Sequence, residues 1–363
     1  MVKKRVWFLC GGESAERDVS LVSARTVFNA LDSNRYDKEL IWISPRGQWI
    51  KKNVLFIEQF KKVKISNTPG LPDKKSTQRS LASDFFHVKT LPDVIFPVLH
   101  GPLGEDGTVQ GFLEMLHVPY VGCGVLGSAL GMDKEFSKIL AEKEKIPILP
   151  YVCIHSPREA KNVAQKLGFP LFVKPARLGS SVGISKVISL AKLSFAVSNA
   201  FEYDNKVLLE KAVEPREIEC AVLGDPYSTD TRFKLRASAL GEVIPHSGFY
   251  DYKTKYLNSN GAGREIPANL GAEKIRQIQG YALKIFKALD CYGLGRVDFL
   301  IDRKTGKIYF NEINTLPGFT SSSMYPALWD FSGIKIHSLM DILIDLALNR
   351  NQQSQRLKKI PSS

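Results

Sequence analysis

The chain has 363 residues, of which 44% are hydrophobic and 24% are charged, and its formal net charge at pH 7 is +13. This length predicts two or three domains of about 100–200 residues each. No apolar run approaches the roughly 20 residues that a membrane-spanning helix needs. The five cysteines are scattered singly without metal-ligand spacing, which indicates reduced, mostly buried thiols.

The excess of positive charge invites a nucleic-acid interpretation. Part of it lies between Lys51 and Arg79, which include eight basic and two acidic residues. No aromatic residues alternate with these charges at a repeated spacing, so a solvated basic insertion is favoured, while attraction of anionic substrates stays open. The apolar stretch after the first basic residues is too short for a signal peptide, and we therefore expect a cytoplasmic protein.

The first predicted elements alternate between strand and helix. Residues 5–12 form a buried strand that ends in a glycine turn, 18–32 have helical apolar spacing, and 38–44 and 92–101 are strands. This alternation predicts a parallel, doubly wound sheet. Residues 51–90 give no prediction of secondary structure.

The second predicted unit begins where a glycine-rich stretch, 119–140, leads into a helix. A strand over 169–176, a Gly/Ser loop, a helix and a strand over 206–213 follow. This order indicates hairpins and a helix instead of a parallel crossover.

The third predicted unit contains long strands that pair in an antiparallel manner, and it ends in a helix over 333–349. The polar tail is predicted to fray. The domain boundaries that we predict are 1–124, 125–213, 214–350 and a tail over 351–363.

The segment VKPARLGSSVGISKV, residues 173–187, has the composition of a phosphate-binding loop. Lys174 lies on a strand, and a turn with glycines and serines follows. Glycines let backbone N–H groups approach a phosphate, and hydroxyls add donors. The lysine precedes the glycines, so the loop is not a Walker A motif. An ordinary Gly/Ser hairpin turn explains the same residues equally well.

A charged segment, LLEKAVEPREIEC (208–220), joins two predicted strands. Its backbone could edge an adenine, and its carboxylates could bind ribose hydroxyls. From spacing alone, a charged linker is the favoured interpretation.

Two later strands carry polar side chains on one face. Arg296 and Asp298 alternate on one strand, and Glu312 and Asn314 alternate on the next. If the turn over 302–307 makes these strands neighbours, two carboxylates and an amide oxygen converge. Such hard oxygen ligands suit Mg²⁺, and burying them without a cation would be costly. A metal site is therefore favoured over a structural network.

Beyond this strand, the sequence continues with Gly318 and a row of serines. A glycine N–H beside Arg296 could donate to a developing oxyanion. Ser322 and Ser323 could bind a carboxylate.

Together these segments resemble the D-alanine–D-alanine ligases of the ATP-grasp superfamily over most of residues 5–348. The resemblance implies an α/β ATP-grasp fold with three α/β domains, the first of them Rossmann-like with a parallel sheet. The motifs that carry it are GGESAERDVS (11–20), PVLHGPLGEDGTVQG (97–111), YVGCGVLGSALGMDK (120–134), VKPARLGSSVGISKV, FYDYKTKY (249–256), GRVD (295–298) and NEINTLPGFTSSSM (311–324).

The resemblance implies that ATP lies between the central and C-terminal domains, with two Mg²⁺ or Mn²⁺ ions at its phosphates. The implied metal ligands are Asp298, Glu312 and Asn314. The implied phosphate residues are Lys134 and Lys174, covered by the loop with Gly179, Ser180, Ser181 and Gly183. The implied adenine and ribose residues are Glu210, Lys211, Val213 and Glu217, with Phe249 as a further ATP contact.

The implied reaction has two steps, in which ATP phosphorylates the carboxylate of one D-alanine and the amine of a second D-alanine displaces the phosphate. Arg296 and the Gly318 N–H would stabilise the oxyanion. The implied substrate residues are Glu16, His100, Lys255, Tyr256, Ser322, Ser323 and Met324, with Tyr256 hydrogen-bonded to Glu16 and Ser180. A loop over 246–266 would close the site against water.

Simpler interpretations stay open for individual residues. Glu16 could merely cap the first helix, His100 could be a hydrogen-bonded loop histidine, and the loop could be static. A D-alanine–D-lactate ligase is the nearest alternative function, although the Lys255–Tyr256 pair resembles the amide-forming type. Another ATP-grasp carboxylate–amine ligase and a non-catalytic nucleic-acid binder are alternatives that the sequence favours less. We expect a homodimer in a bacterial cytoplasm, with no nucleic-acid or membrane partner.

Overall fold

The computed structural model describes residues 2–61, 91–244 and 263–357, and these residues contain three β-sheets. The predictions for Phe249, Lys255 and Tyr256, and most of the predicted closing loop and basic insertion, lie outside the described residues. All three sheets are flanked by helices, so the predicted mixed α/β fold is confirmed.

The first sheet has the strand order β3-β2-β1-β4. Its strands are β1 (Lys4–Gly11), β2 (Tyr36–Ile43), β3 (Trp49–Lys52) and β4 (Val94–Val98). β1 is parallel to β2 and β4, as predicted, and its apolar residues are buried as in a parallel strand covered on both faces. The prediction omitted β3, which adds an antiparallel edge to β2.

Three helices accompany this sheet, namely α1 (Arg17–Ala30), α2 (Val54–Glu58) and α3 (Thr108–Met115). Two more follow where the sequence predicted one helix after a glycine-rich loop. The glycine-rich residues themselves form α4 (Val125–Met132), and α5 (Lys134–Lys143) begins after Asp133. The Asp133 carboxylate accepts from the N–H groups of Glu135 and Phe136, an N-cap that fixes Lys134 at the first position of α5.

The second sheet has the strand order β5-β8-β6-β7 and is antiparallel throughout. This confirms the predicted hairpin-and-helix pattern. Its strands are β5 (Tyr151–Ile154), β6 (Leu171–Pro175), β7 (Ser185–Val187) and β8 (Val207–Lys211). A short 3-10 turn (Pro157–Glu159) precedes α6 (Ala160–Leu167), and α7 (Leu190–Phe201) connects β7 to β8.

The third sheet has the order β11-β10-β9-β12-β13, with antiparallel neighbours as predicted. Its strands are β9 (Pro215–Gly224), β10 (Arg236–Ile244), β11 (Gly263–Glu265), β12 (Gly293–Asp302) and β13 (Ile308–Asn314), and α8 (Ala272–Ala288) follows β11.

The chain closes with α9 (Met324–Phe331) and α10 (Ile336–Arg356). The apolar side chains Leu339, Leu343 and Leu346 are buried on one face of α10, as the spacing predicted. The helix continues past its predicted end at residue 349, so the prediction of a frayed tail is wrong for residues 351–356. This polar stretch stays helical because Gln and Arg have good helix propensity and project into water.

All five cysteines are free, and four of them are buried. Their predicted role as reduced, mostly buried thiols is confirmed. Among the described helices, none combines the length and the apolar character that a membrane crossing needs.

Candidate active site

A cleft of about 200 Å³ opens between the second and third sheets. It contains ten of the predicted site residues, which are Lys134, Lys174, Gly179, Ser180, Ser181, Glu210, Val213, Glu217, Asp298 and Glu312. Gly183, Lys211 and Asn314 are not among its lining residues. Charged groups of both signs therefore meet in one cavity, although they come from five separate segments of the chain.

The floor of the cleft is formed by neighbouring strands of the third sheet. The hairpin of β12 and β13 sets Asp298 directly opposite Glu312, and on the other side Asp298 is opposite Glu219 of β9. Residues opposite each other in antiparallel strands project to the same face. Three carboxylates therefore form a row across three strands, and Glu219 is one that the sequence reasoning missed.

Arg296 lies two residues before Asp298 on the same face of β12. Its Nε and Nη2 donate to the two Asp298 carboxylate oxygens at 2.7 and 2.6 Å, and its Nε is 3.0 Å from Glu219 Oε2. Burial lowers the pKa of Arg296, but the negative charges of Asp298 and Glu219 raise it and prevail, so the pKa lies well above its usual value. The guanidinium is a fixed positive charge on this floor.

Glu312 and Asn314 complete the predicted metal-binding set. Lys134 Nζ lies 3.3 Å from Glu312 Oε2 and donates to the Leu178 carbonyl at 2.7 Å. Asn314 Oδ1 accepts from the Leu316 N–H at 2.9 Å. Within the described residues, no group of three or more His, Cys, Asp and Glu side chains is arranged to hold a metal ion. A cation here would need oxygen ligands from a bound molecule besides those of the protein.

A buried charge cluster adjoins this floor. The Glu210 carboxylate contacts Lys138 Nζ at 2.5 Å and accepts a hydrogen bond from Lys174. Burial raises the pKa of Glu210, but the two lysines overcome this effect and hold it at about 2. Burial also lowers the pKa of Lys138. One carboxylate thus holds two ammonium groups. Lys174 lines the cleft, and its hydrogen bond to Glu210 fixes its position.

Of the residues predicted to bind adenine and ribose, Glu210 is buried in the charge cluster. Val213 and Glu217 line the cleft. The Lys211 ammonium instead donates to the carbonyl oxygens of Gly168 and Phe169, both at 3.0 Å. Its side chain therefore secures the loop before β6.

The predicted phosphate loop has an unusual backbone. Ser180 and Ser181 have φ angles of +53° and +59°, a left-handed conformation that non-glycine residues adopt infrequently. Gly183 has φ +72°, and a Cβ there would lie 2.8 Å from the Pro175 side chain. The glycine is therefore required for packing against β6, while the serines turn towards the cleft.

Glu16 meets this loop from the first domain. Its carboxylate makes no capping hydrogen bond to α1, and instead it accepts a hydrogen bond from the Ser180 hydroxyl. The capping interpretation of Glu16 is therefore not supported. Two residues separated by 164 positions are joined here.

His100 is buried beside Glu105, with 3.4 Å between His100 Nδ1 and Glu105 Oε1. Burial lowers the pKa of His100, but the carboxylates of Glu105 and Glu16 raise it and prevail. The resemblance gave His100 a place near the first substrate, and the sequence reasoning did not include Glu105. The spacing of the sequence does not indicate Glu105, because only the fold of the loop brings this residue next to His100.

Gly318 lies between this histidine and the serine row. A Cβ at Gly318 would be 3.0 Å from Ser323 Oγ and 3.7 Å from His100 Nε2. Ser323 Oγ accepts from the Thr320 N–H at 2.9 Å, and Ser322 Oγ is 3.0 Å from the Thr320 hydroxyl. The segment is a tight turn whose hydroxyls are already ordered, and it leads directly into Met324 at the start of α9.

Arg264 of β11 secures this serine turn from outside. Its guanidinium donates to the Ser323 and Ser321 carbonyl oxygens at 3.2 and 3.1 Å. Like Glu219 and Lys138, it was not predicted. Strand alternation after Glu217 could have indicated Glu219, and the i, i+4 spacing from Lys134 could have indicated Lys138.

Known proteins resemble this chain over nearly its whole length. Family models described as the D-ala D-ala ligase N-terminus and C-terminus match residues 5–123 and 140–345. The chain is 44% identical to a D-alanine–D-alanine ligase of Ruminiclostridium cellulolyticum, with 98% of each chain covered. It is 41% identical to a D-alanine–D-alanine ligase of Shouchella clausii, with 99% of this chain and 98% of the relative covered.

Solved structures give the same result. The D-alanine–D-alanine ligase of Coxiella burnetii superposes with a TM-score of 0.79 at 33% identity, covering 98% of this chain and 96% of that one. The VanG D-Ala:D-Ser ligase of Enterococcus faecalis superposes with a TM-score of 0.77 at 33% identity, covering 95% of this chain and 100% of that one.

Proposed function

The chain belongs to the D-alanine–D-alanine ligase family, and from this premise we propose how its residues divide the work of the reaction. The protein has the ATP-grasp fold, and it joins two D-alanine molecules at the expense of ATP. The product supplies peptidoglycan precursor synthesis. The alternative of a D-alanine–D-lactate ligase is not favoured by these relatives.

The proposed metal ligands are Asp298, Glu312 and Asn314, with two Mg²⁺ ions as the bound metal. The observation that supports this fit is the donor set itself, because two opposed carboxylates and an amide oxygen are the hard ligands that Mg²⁺ takes alongside phosphate oxygens. When bound, the metal neutralises charge on the transferring phosphoryl group.

The lysines of the cleft are proposed to hold the phosphates of ATP. The Lys174 ammonium donates a hydrogen bond to Glu210, and the Lys134 ammonium contacts Glu312 and the Leu178 carbonyl. Ammonium groups fixed in this way stabilise the transferring phosphoryl group without having to reorganise. The left-handed serines at 180 and 181 would direct backbone N–H groups at the same phosphates.

In the first step, a carboxylate oxygen of one D-alanine forms a bond to the γ-phosphorus, and the bond to the ADP oxygen breaks. Glu16 is proposed to hold the ammonium of this D-alanine, near His100. In the second step, the amine of another D-alanine forms a bond to the carbonyl carbon, loses a proton, and phosphate leaves. Arg296 and the Gly318 N–H would stabilise the oxyanion, while Ser322, Ser323 and the Met324 backbone would bind the second carboxylate.

The observation that carries this proposal is the contact between Glu16 and Ser180. It joins Glu16 of the first domain, which is proposed to bind the ammonium of the substrate, to the loop of the second domain that is proposed to bind the phosphates. The reacting carboxylate and the γ-phosphate must be neighbours, and this contact brings their two binding elements together. Lys255, Tyr256 and Phe249 keep the roles that the resemblance implied, as proposals.

The test is phosphate release from Mg-ATP with D-alanine, L-alanine, D-alanine plus D-serine, and D-alanine plus D-lactate, with product masses recorded. The expected result is phosphate release with D-alanine alone and the mass of the D-alanyl-D-alanine dipeptide. A depsipeptide or a mixed D-alanyl-D-serine product in preference to it would overturn the proposed choice of second substrate. No phosphate release from folded protein would overturn the assigned chemistry.

Two further parts of the proposal concern the protein in its cell. We propose a homodimer, which sedimentation or light scattering would test directly. A cytoplasmic location is proposed because ATP and the peptidoglycan precursors that consume the dipeptide are found there.

A further inference from the structure

Glu219 has no part in the roles given so far, although it lies on the floor of the cleft. It is opposite Asp298, which is opposite Glu312, so it ends the row of three carboxylates. Its side chain is 10% exposed, close to the 13% of Asp298. A carboxylate this deeply buried needs a compensating positive charge.

Glu219 faces the positive charge of Arg296, which it shares with Asp298. Arg296 Nε is 3.0 Å from Glu219 Oε2, and both oxygens of Asp298 accept from the same guanidinium. The guanidinium is itself only 14% exposed. It therefore has two carboxylate partners and little contact with water.

These contacts create a competition at Asp298. A divalent metal that binds Asp298 must share the negative charge of this carboxylate with Arg296. The metal and the guanidinium also repel each other. If Asp298 were the only counter-ion of Arg296, metal binding would leave a buried guanidinium without compensation, which is costly. A second carboxylate next to the Arg296 guanidinium removes this conflict.

We propose that Glu219 is a positioning residue that holds the guanidinium of Arg296 and thereby leaves Asp298 able to bind a divalent metal. This inference rests on the proposed function, which places the metal at Asp298 and Glu312. Glu219 itself touches neither metal nor substrate in this scheme. Outer residues of this kind commonly change metal affinity by about 10–100-fold when they are replaced.

The same sheet offers a matched control. Glu242 of β10 is a similarly buried glutamate, 8% exposed, that pairs with Arg216 through both carboxylate oxygens. Its register partner on β9 is Ile218, so it projects to the opposite face from Glu219. Replacing Glu242 breaks an equivalent buried pair without touching the cleft.

The experiment is a titration of Mn²⁺ into the full chain with ADP, in which free Mn²⁺ is measured by electron paramagnetic resonance. Wild type, Glu219→Gln and Glu242→Gln are compared. Glu219→Gln is expected to weaken Mn²⁺ binding about tenfold, and Glu242→Gln to leave it unchanged. Equal affinity in wild type and Glu219→Gln, or equal loss in both variants, would overturn the inference.

A second pair of variants tests how Glu219 affects Mn²⁺ affinity. The effect could act through Arg296, or it could come directly from the electrostatic field of the Glu219 charge. In an Arg296→Met background, adding Glu219→Gln should change Mn²⁺ affinity less than about twofold, because the group through which Glu219 acts is gone. A persisting tenfold loss would show a direct field and overturn the inference.

Glu219→Asp, which keeps the charge, is expected to bind Mn²⁺ within about threefold of wild type. If Glu219→Gln does not fold, Glu219→Asp is compared with Glu219→Asn, and equal affinities would overturn the inference. Wild-type protein that binds no Mn²⁺ would instead overturn the metal assignment of the proposed function, and this outcome is distinct from a failure of Glu219 alone.

Discussion

The proposed active site has a nucleotide end and a substrate end, and the two are built in different ways. At the nucleotide end, charged residues project from adjacent strands, and the ladder hydrogen bonds fix Glu219, Asp298 and Glu312 in register. At the substrate end, Glu16 and Ser180 come from separate segments and meet through a side-chain hydrogen bond, and Gly318 lies in a third segment next to His100. A sheet can lose one charge and keep its geometry, whereas a junction of loops depends on each contact.

This difference predicts different consequences of mutation. Replacement of a charge on the sheet floor should stop chemistry and leave the backbone in place. Replacement of a contact at the substrate end should instead change substrate affinity or the pH dependence of stability. The buried cluster around Glu210 is the point where the second sheet is sensitive to the loss of a charge, because two lysines depend on this carboxylate.

The largest expected effect is that of Glu210→Gln. It leaves Lys138 and Lys174 buried without their counter-ion, and breaking a buried pair typically costs about 3–5 kcal/mol. The free energy of unfolding, measured by urea denaturation at pH 7, should fall by that amount. Glu210→Gln combined with Lys138→Met should recover part of the loss, because one buried charge is then removed with its partner.

The pH dependence of this variant follows from the pKa of Glu210, which is held at about 2 by Lys138 and Lys174 against the effect of burial. A lowered pKa contributes stability that is present above the unfolded-state pKa of about 4.3 and is lost as the pH falls towards 2. The difference between wild type and Glu210→Gln should therefore shrink from pH 7 to pH 3. A difference that stays constant would contradict the charged state assigned to Glu210.

The next effect is on catalysis. Glu312→Gln removes charge from the proposed metal site without changing side-chain volume, and D-alanine-dependent phosphate release should fall by about 10²–10³-fold. The free energy of unfolding should fall by less than in Glu210→Gln, because Lys134 loses one ion pair but keeps its hydrogen bond to the Leu178 carbonyl. Glu144→Gln, which removes an exposed ion pair with Lys284, is the control and should keep full activity. Full activity in Glu312→Gln would contradict the metal assignment.

The substrate end is tested first at Glu105. The raised pKa of His100, which Glu105 and Glu16 maintain against burial, contributes stability below pH 6.5 that is lost as the pH rises through the folded-state pKa. Glu105→Gln should therefore destabilise the protein by about 1.5–3 kcal/mol at pH 6 and by less at pH 9, measured by urea denaturation. Glu114→Gln, which removes a carboxylate bonded to Tyr120 at 2.8 Å, should show no such difference.

The same contrast explains what the sequence could predict. Strand alternation and a short turn placed Asp298 opposite Glu312, because both facts are local to one hairpin. Glu219 obeys the same alternation but escaped prediction, since its register with β12 joins strands about seventy residues apart in the sequence. No periodicity places Glu16 beside Ser180, and only the family resemblance suggested that meeting.

The smallest expected effect concerns Arg264, which secures the serine turn through two carbonyl oxygens. Arg264→Gln removes the charge from these hydrogen bonds, and because the site is exposed, the binding free energy of the second D-alanine should weaken by about 1 kcal/mol. The KM for the second D-alanine should rise about fivefold, while the KM for ATP and the melting temperature stay unchanged. Initial rates measured against each substrate in turn provide the comparison.

Arg232→Gln is a suitable control, because Arg232 pairs only with the nearby Asp230 among the described residues and lies in a surface turn. A rise in the KM for ATP in Arg264→Gln would mean that the turn communicates with the sheet floor, and the two ends would then not be independent. A change confined to D-alanine would show that the serine turn can be loosened by itself. That result is expected because hydrogen bonds between loops, unlike a strand register, can be weakened one at a time.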